Sequence, residues 1–291
     1  MIKSKKSYFV VIIPVIFITV FVASLGVGIT MFSQQVEKDV KRLYANSKDI
    51  SEKSYSINKI TNLPAPVQKY FKYSLQENQN QISFVKLKHE GIFRQSQGQG
   101  WMPIAGQEYF TTENPGFVWI GKMKPLPIFW IDGEDKFIDG KGNFQIKLLS
   151  LFTVVDTKGN ETDESELLRW LAETPWFPTS LLPSKYLHWE GVNSSSAKDI
   201  VEYGKIKASA IFSFNEQGQI IKLNADRYRT VNNSYSKDKW IGYYRDYSKV
   251  NDLMIPKEIE AAWNLSSGGE FSYAKFKVTD IEYNNPSMYQ K

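Results

Sequence analysis

The chain has 291 residues, with 36 basic and 31 acidic side chains, a formal net charge of +5 and no cysteine. Three of the five excess positive charges are Lys3, Lys5 and Lys6, which leaves two for the rest of the chain. That distribution excludes the concentrated basic face of a nucleic-acid binder. The lack of cysteine excludes disulfide bonds, so an apolar core must hold the fold.

The first predicted element is the uncharged, apolar stretch at residues 8–32. A helix of this length is about 37 Å long, enough to cross about 30 Å of hydrocarbon. The lysines before it and the mixed charges after it predict a cytoplasmic tail at 1–7 and an extracytoplasmic (periplasmic or cell-surface) remainder. The alternative is a cleaved secretory signal, but no A-x-A site follows the stretch. We therefore expect a single-pass signal anchor whose partner is the lipid bilayer.

Residues 33–62 are mostly polar, and the helical spacing of Val36, Val40 and Leu43 predicts a juxtamembrane helix or stalk that lifts the domain off the bilayer. The main domain is expected at 63–291. It begins with the helix-breaking sequence Leu-Pro-Ala-Pro. After it, residues at i, i+3, i+4 and i+7 would lie on one face of a helix. This pattern predicts an amphipathic helix with proline at its start. The residues of that face are Val67, Tyr70, Phe71 and Ser74.

From residue 81 the period of the pattern changes to two. Apolar Val85 and Leu87 alternate with Lys86 and Lys88, which predicts a strand with one solvent-exposed face. Further short strands are predicted at 108–112, 117–120, 128–131, 136–139, 144–149, 206–214, 219–224, 240–247, 258–265 and 271–283, the last two joined by a turn at 266–269. Many short strands linked by turns predict a mainly-β (α+β) domain with a curved antiparallel sheet or unclosed barrel, covered by one or two helices.

One helix interrupts the strands at 163–173. Asp163 is its predicted N-cap, with Glu166 three residues later in a capping-box arrangement, and Thr174-Pro175 ends it. Glu166, Arg169 and Glu173 share one face of this helix.

Glu166 and Glu173 are the weak candidates for catalysis, since two carboxylates lining a cleft can act as acid and base. Ion-pair ladders on helix surfaces are the commoner arrangement. The two histidines, His89 and His188, lie far apart without metal-ligand spacing, and neither a nucleophile elbow nor a phosphate-binding loop is present. We therefore expect no metal and no cofactor, and an enzymatic role is disfavoured.

Ligand-binding candidates are arginines and aromatics on the helix and on the later strands: Arg169, Trp170, Trp176, Phe177, Arg227, Arg229, Trp240 and Arg245. Arginine beside an aromatic ring can hold an anionic head group, although cross-strand pairing with acids is the alternative. The loop at 119–130 combines tryptophan with lysine, as interfacial segments of membrane proteins do, or it forms two buried strands around a turn.

The motif order carries a resemblance. Leu-Pro-Ala-Pro-Val at 63–67, Glu-Leu-Leu-Arg-Trp-Leu-Ala-Glu at 166–173 and Trp-Phe-Pro-Thr at 176–179 resemble a family of uncharacterised, often membrane-anchored bacterial proteins over residues 60–283. This family brings no established activity. The order of elements also resembles the unclosed barrels of periplasmic lipoprotein carriers, which hold an acyl chain between a curved sheet and a covering helix.

These patterns predict a membrane-anchored extracytoplasmic binding module that holds a lipid-like or other apolar ligand between the sheet and the 163–173 helix. Two alternatives stay open. One is a cell-envelope hydrolase that uses Glu166 or Glu173, and the other is an envelope scaffold that docks an unknown protein partner.

Overall fold

The computed structural model describes residues 5–231, 234–266 and 268–290, with side chains from residue 13 onward. Residues 1–4 of the predicted tail, with Lys3, and Ser267 of the predicted turn at 266–269 lie outside the described residues. The helices are α1 (Lys5–Ala45), α2 (Ala65–Ser74) and α3 (Asn160–Glu173), with short 3-10 turns at Ile57–Ile60, Thr174–Trp176 and Pro178–Leu181. The strands are β1 (Phe84–Phe93), β2 (Met102–Thr111), β3 (Gly116–Leu126), β4 (Phe129–Ile138), β5 (Lys141–Leu148), β6 (Phe152–Thr157), β7 (Leu187–Asn193), β8 (Ser196–Tyr203), β9 (Ile206–Phe214), β10 (Ile220–Val231), β11 (Ser234–Val250), β12 (Leu253–Leu265) and β13 (Gly269–Tyr283).

All thirteen strands belong to one antiparallel sheet in the order β6-β5-β4-β3-β2-β1-β13-β12-β11-β10-β9-β8-β7. Two meanders, β1–β6 and β7–β13, join through the pairing of β1 with β13, and α3 connects the two free edges β6 and β7. The sheet curls into a half-barrel, so α3 contacts β5 on one side and β9 and β10 on the other. The predicted fold class is therefore confirmed.

The two faces of the sheet carry different helices. On β1, Val85 and Leu87 point to the concave face and pack in the core that includes α3, whereas Phe84 points to the convex face and packs against α1. Lys86 also points to the convex face. The prediction that its side chain is exposed to solvent is wrong. It is 4% exposed, because Tyr289 lies over it and Glu282 pairs with it at 3.2 Å.

Several elements differ in extent from the sequence pattern. The predicted strands at 128–131 and 136–139 are parts of the single strand β4, and the pattern does not predict β6 or β8. Helix α3 begins at Asn160, with Gly159 rather than Asp163 as its N-cap. The Asp163 carboxylate instead accepts a hydrogen bond from the Gly142 backbone N–H at 2.7 Å and so ties α3 to β5. In α2, all four residues of the predicted apolar face are buried.

Helix α1 runs without a break from the apolar stretch into the segment predicted as a stalk. Among the described residues it has the length and composition of a membrane span, and apolar side chains such as Phe17 and Met31 are exposed. From Gly28 onward, an i, i+4 stripe through Phe32, Val36 and Val40 packs on the convex face instead of standing clear of it. The sheet side chains of that contact are Phe84, Tyr109, Val118 and Ile138.

Candidate functional site

The space between α3 and the concave face is filled by side chains. Trp170, Trp176 and Phe177 are at most 2% exposed, so they are enclosed by other side chains. The Trp170 indole N–H donates to the Thr111 carbonyl and the Trp176 indole N–H to the Pro256 carbonyl, both at 3.0 Å. Since their polar atoms are satisfied within the protein, these three predicted ligand contacts occupy the hydrophobic core.

Arg169 is the centre of a buried ionic cluster beneath α3. Its guanidinium binds Asp135 at 2.6 Å, Glu173 at 3.0 Å and Glu108 at 3.1 Å. It also lies 5.1 Å from the centre of the Trp119 ring. Burial raises the pKa of the Glu108 and Glu173 carboxyls, and the neighbouring carboxyls raise that of Glu108 further, while Arg169 opposes the rise. The cluster therefore anchors α3 to β2 and β4 through a charge network.

Glu166 is held in the same interior by Arg227, at 3.2 Å. Burial raises the pKa of the Glu166 carboxyl, and the nearby Asp135 adds to the rise. The Arg227 guanidinium lies 4.7 Å from the centre of the Trp240 ring. Of the two carboxylates predicted as acid and base, Glu166 is buried and Glu173 is 12% exposed, and each forms an ion pair with an arginine. This is the ion-pair arrangement and not an open cleft.

Of the remaining predicted residues, two lie apart from this cluster. Arg229 pairs with Asp238 across β10 and β11 at 3.0 Å. Arg245 pairs with Glu260 at 2.8 Å and has a half-exposed side chain. Because Tyr244 points to the concave face, where its hydroxyl donates to the Ala172 carbonyl at 2.7 Å, the adjacent Arg245 points to the convex face.

A histidine–tryptophan pair completes the concave interior. The Trp119 indole N–H donates to His89 Nε2 at 2.7 Å, and the two ring planes are within 5° of parallel. Glycines on neighbouring strands make room for both rings, since a methyl group at Gly106 would lie 2.5 Å from His89 and one at Gly121 2.3 Å from Trp119. Burial, reinforced by the Arg169 charge, lowers the pKa of His89 to about 3, so the imidazole is neutral. Glycines at strand centres are the signal of this close approach in the sequence.

The convex face carries an open groove with a volume of about 1010 Å³. One wall is α1 from Ile29 to Tyr44, the opposite wall is the C-terminal segment 286–289, and the strands β1–β4 form the floor. Its apolar lining comes from all three parts and includes Phe32, Val36, Val40, Ile120 and Met288. Concave surfaces lined by apolar side chains with a few polar groups are the usual form of a small-molecule site.

Charged side chains lie along this groove. The Lys88 ammonium lies 4.3 Å from the centre of the Tyr289 ring, and Lys122 pairs with Asp132 at 3.4 Å. Lys41 pairs with Glu37 on α1 at 2.7 Å. The groove therefore offers an apolar channel beside three lysines and three acidic side chains, which suits an amphiphile with a zwitterionic head. The sequence pattern did not predict it, although the stripe Val36, Val40 and Leu43 indicated one of its walls.

A family model matches residues 61–283, which covers α2, α3 and nearly the whole sheet. The chain belongs to this family, described as a family of unknown function (DUF6920). The family resemblance expected from the sequence is thereby confirmed. The match contains the groove floor, whereas α1 and segment 286–289, which form its walls, lie outside the match.

Comparison with solved structures finds distant likenesses. A LolA superfamily protein from Nitrosomonas europaea is 8% identical with a TM-score of 0.41, over 77% of this chain and 94% of that one. A porin-like protein from Bacteroides uniformis is 8% identical with a TM-score of 0.26, over 70% of this chain and 97% of that one. At these scores neither likeness says what this chain does. No curated protein matches the chain.

Proposed function

We propose that this DUF6920 protein is a membrane-anchored, extracytoplasmic binding module that takes up a lipid-like amphiphile in the groove between α1 and the convex face of the sheet. The observation that carries the proposal is the position of the groove. Its lining begins at Ile29, within the part of α1 whose apolar side chains are exposed. An acyl chain in the bilayer around α1 would therefore reach the groove without crossing water.

The size and lining of the groove support this proposal. Ligand sites commonly enclose about 300–1,000 Å³, and the groove lies at the upper end of that range. An apolar chain would cover Phe32, Val36 and Ile120, and Lys88 and Lys41 line the same groove and can meet a polar head. The orientation rests on Lys3, Lys5 and Lys6, which by the positive-inside rule favour a cytoplasmic N-terminus.

The proposal moves the ligand from the position predicted by the sequence pattern. The interior beneath α3 holds the buried rings of Trp170, Trp176 and Phe177, and two arginines in ion pairs lie beside them. A ligand there would have to displace core side chains, and each large aromatic removed from a core costs about 3–5 kcal/mol. The groove needs no such displacement.

The test is a groove-blocking substitution with a matched control. Ala105 lies in the groove floor with an exposed side chain, so Ala105→Trp fills the channel. Ile221 on β10 is exposed on the sheet outside the groove, so Ile221→Trp adds a comparable aromatic surface elsewhere. The full chain is extracted from native membrane, its co-purifying lipid is quantified by mass spectrometry, and a fluorescent stearic acid is titrated into the delipidated protein.

We expect Ala105→Trp to weaken stearate binding about tenfold or more, which corresponds to about 1.4 kcal/mol, and to lose the co-purifying lipid. Ile221→Trp should match the unsubstituted chain. Equal lipid content in all three proteins would contradict a site in the groove, and absence of lipid and of stearate binding from the unsubstituted chain would refute the proposed function.

A further inference from the structure

The most exposed apolar side chains outside α1 gather at one end of the sheet. Leu126 and Ile128, at the turn between β3 and β4, are 61% and 87% exposed, and Phe152 and Val154 on β6 are 54% and 53% exposed. Every other large apolar side chain beyond α1 in the described part of the chain is less exposed. Isolated exposed apolar residues are normal, but a group of the largest exposures on one edge marks an interaction surface.

The four residues lie at the same end because of the strand pairing. Leu126 pairs with Phe129 at the start of β4, Ile131 pairs with Leu148 at the end of β5, and Leu148 pairs with Phe152. We name the group Leu126, Ile128, Phe152 and Val154 the apolar tip.

The tip points toward the N-terminal half of α1. Later residues of α1 contact later residues of β4 and its neighbour. Gly28 lies beside Ser150, Asp39 pairs with Lys136 at 2.5 Å, and Arg42 pairs with Asp139 at 2.9 Å. Helix α1 and strand β4 therefore run in the same direction. The start of β4, next to the apolar tip, therefore lies on the same side as the exposed apolar part of α1.

A short estimate sets the level of the tip against α1. The Trp130 indole N–H donates to Ser150 Oγ at 2.9 Å, and Ser150 lies beside Gly28, so Trp130 is level with Gly28. Ile128 lies two residues farther along the strand, or about 7 Å. On a helix that distance equals about four to five residues, which places Ile128 level with residues 23–24, inside the exposed apolar stretch of α1.

We propose that the apolar tip inserts into the head-group and upper acyl region of the bilayer that α1 spans, so that the domain is held to the membrane at two points. This inference rests on the proposed function only for the membrane location of α1. The neighbouring side chains suit that partner. Trp130, Lys122 and Lys124 flank the turn, and tryptophan and lysine are the residues enriched at membrane interfaces. Lysines near the surface also favour anionic lipids.

Two-point attachment has a consequence for the groove. A domain held by α1 alone could tilt about the helix, whereas a second contact through Leu126 and Ile128 fixes the end of the groove near Ile29 at the bilayer surface. The tip then acts together with α1 to keep the groove open to lipid.

The absence of cysteine makes this geometry directly measurable. Ile128→Cys is labelled with an environment-sensitive fluorophore, and the full chain is reconstituted in vesicles of phosphatidylcholine and phosphatidylglycerol. Quenching is measured with nitroxide-labelled phospholipids and with aqueous iodide. Ile221→Cys is the control on the exposed sheet, and Val20→Cys, in the exposed apolar part of α1, reports the anchor itself.

We expect the Ile128→Cys label to lose most of its fluorescence to the nitroxide lipids and little to iodide, as the Val20→Cys label does, whereas the Ile221→Cys label shows the reverse. If Val20→Cys is quenched by lipid while Ile128→Cys is quenched only by iodide, the second contact is overturned and the anchor stands. If neither is quenched by lipid, the anchor is overturned and the tip contact with it. Circular dichroism of each labelled variant checks that the sheet is intact.

Discussion

The concave and convex faces of the same half-barrel are built in opposite ways. Beneath α3 the face is closed, with fully buried aromatic rings and a charge network around Arg169. On the convex face α1 packs along one line only, so a groove remains between it and segment 286–289. The first face is filled by packed side chains, whereas the second has apolar surface without a protein partner along its groove.

The comparison teaches that a covering helix does not by itself make a ligand site. Helix α3 contributes Trp170, Leu167 and Leu171, which fill the volume under it. Helix α1 also packs large side chains on the sheet, among them Phe32, Leu43 and Tyr44, but the groove stays open beside this line of contact. The area of sheet that the covering helix occupies therefore decides which face keeps open space.

The largest effect expected is from the substitution Arg169→Met. Removing the guanidinium leaves the carboxyl groups of Glu108, Asp135 and Glu173 without their cationic partner, which should lower the free energy of unfolding by about 3–5 kcal/mol. Urea unfolding of the full chain in detergent measures it. Arg245→Met is the control, since that exposed pair with Glu260 is worth about 0–1 kcal/mol. Similar losses for both variants would contradict the burial of the carboxylates that Arg169 pairs with.

A matched pair of phenylalanines compares the faces directly. Phe177→Ala beneath α3 should cost about 3–5 kcal/mol, because the cavity it leaves is enclosed. Phe32→Ala at the groove should cost on the order of half as much, because its ring already borders open space that water can enter. The same unfolding assay measures both. An equal cost would mean that the groove is as tightly packed as the core.

The last effect expected is a pH dependence from His89. Its pKa in the folded state is lowered to about 3, so between about pH 6.5 and 3 the unfolded chain binds a proton that the folded chain does not. Stability from this group is full above pH 6.5 and is lost as the pH falls, by up to about 1.4 kcal/mol per unit. Unfolding free energies of His89→Gln should therefore decline less steeply from pH 6.5 to 4.

The carboxyls of Glu108 and Glu166 oppose this trend, because burial raises their pKa and their protonation favours the folded state at low pH. They are present in both proteins, so the difference between the two pH profiles isolates His89. His188→Gln, at an exposed position on β7, is the matched control and should follow the unsubstituted chain. Parallel slopes for His89→Gln and the unsubstituted chain would contradict a buried neutral imidazole.

Local patterns predicted the elements well where one face is buried and the other exposed. The i, i+3, i+4, i+7 face of α2 and the alternation of β9 are both present in the structure. Patterns failed where both faces are covered. Lys86 reads as an exposed strand position, but the C-terminal segment, about 200 residues later in the chain, folds over it. Alternation of apolar and polar residues predicts which face of a strand packs on the core, but it does not predict whether a segment far away in the chain covers the other face.

The sequence predicted that the charged residues of α3 lie on one face, but it did not predict which residues they contact. Glu166, Arg169 and Glu173 do share a face of α3, as their spacing requires. Whether that face meets water or a sheet depends on the partners Glu108, Asp135 and Arg227, which come from three different strands. The sequence spacing gives no information on those partners.

By itself the sequence determined the apolar N-terminal helix, the mainly-β class and the face shared by the α3 charges, because hydropathy, alternation and helical spacing act over a few residues. Only the tertiary structure decided that the interior beneath α3 is full and that the open groove lies against α1. Both depend on how side chains from strands far apart in the chain fit together, and close packing of that kind is set by volume and geometry rather than by local pattern.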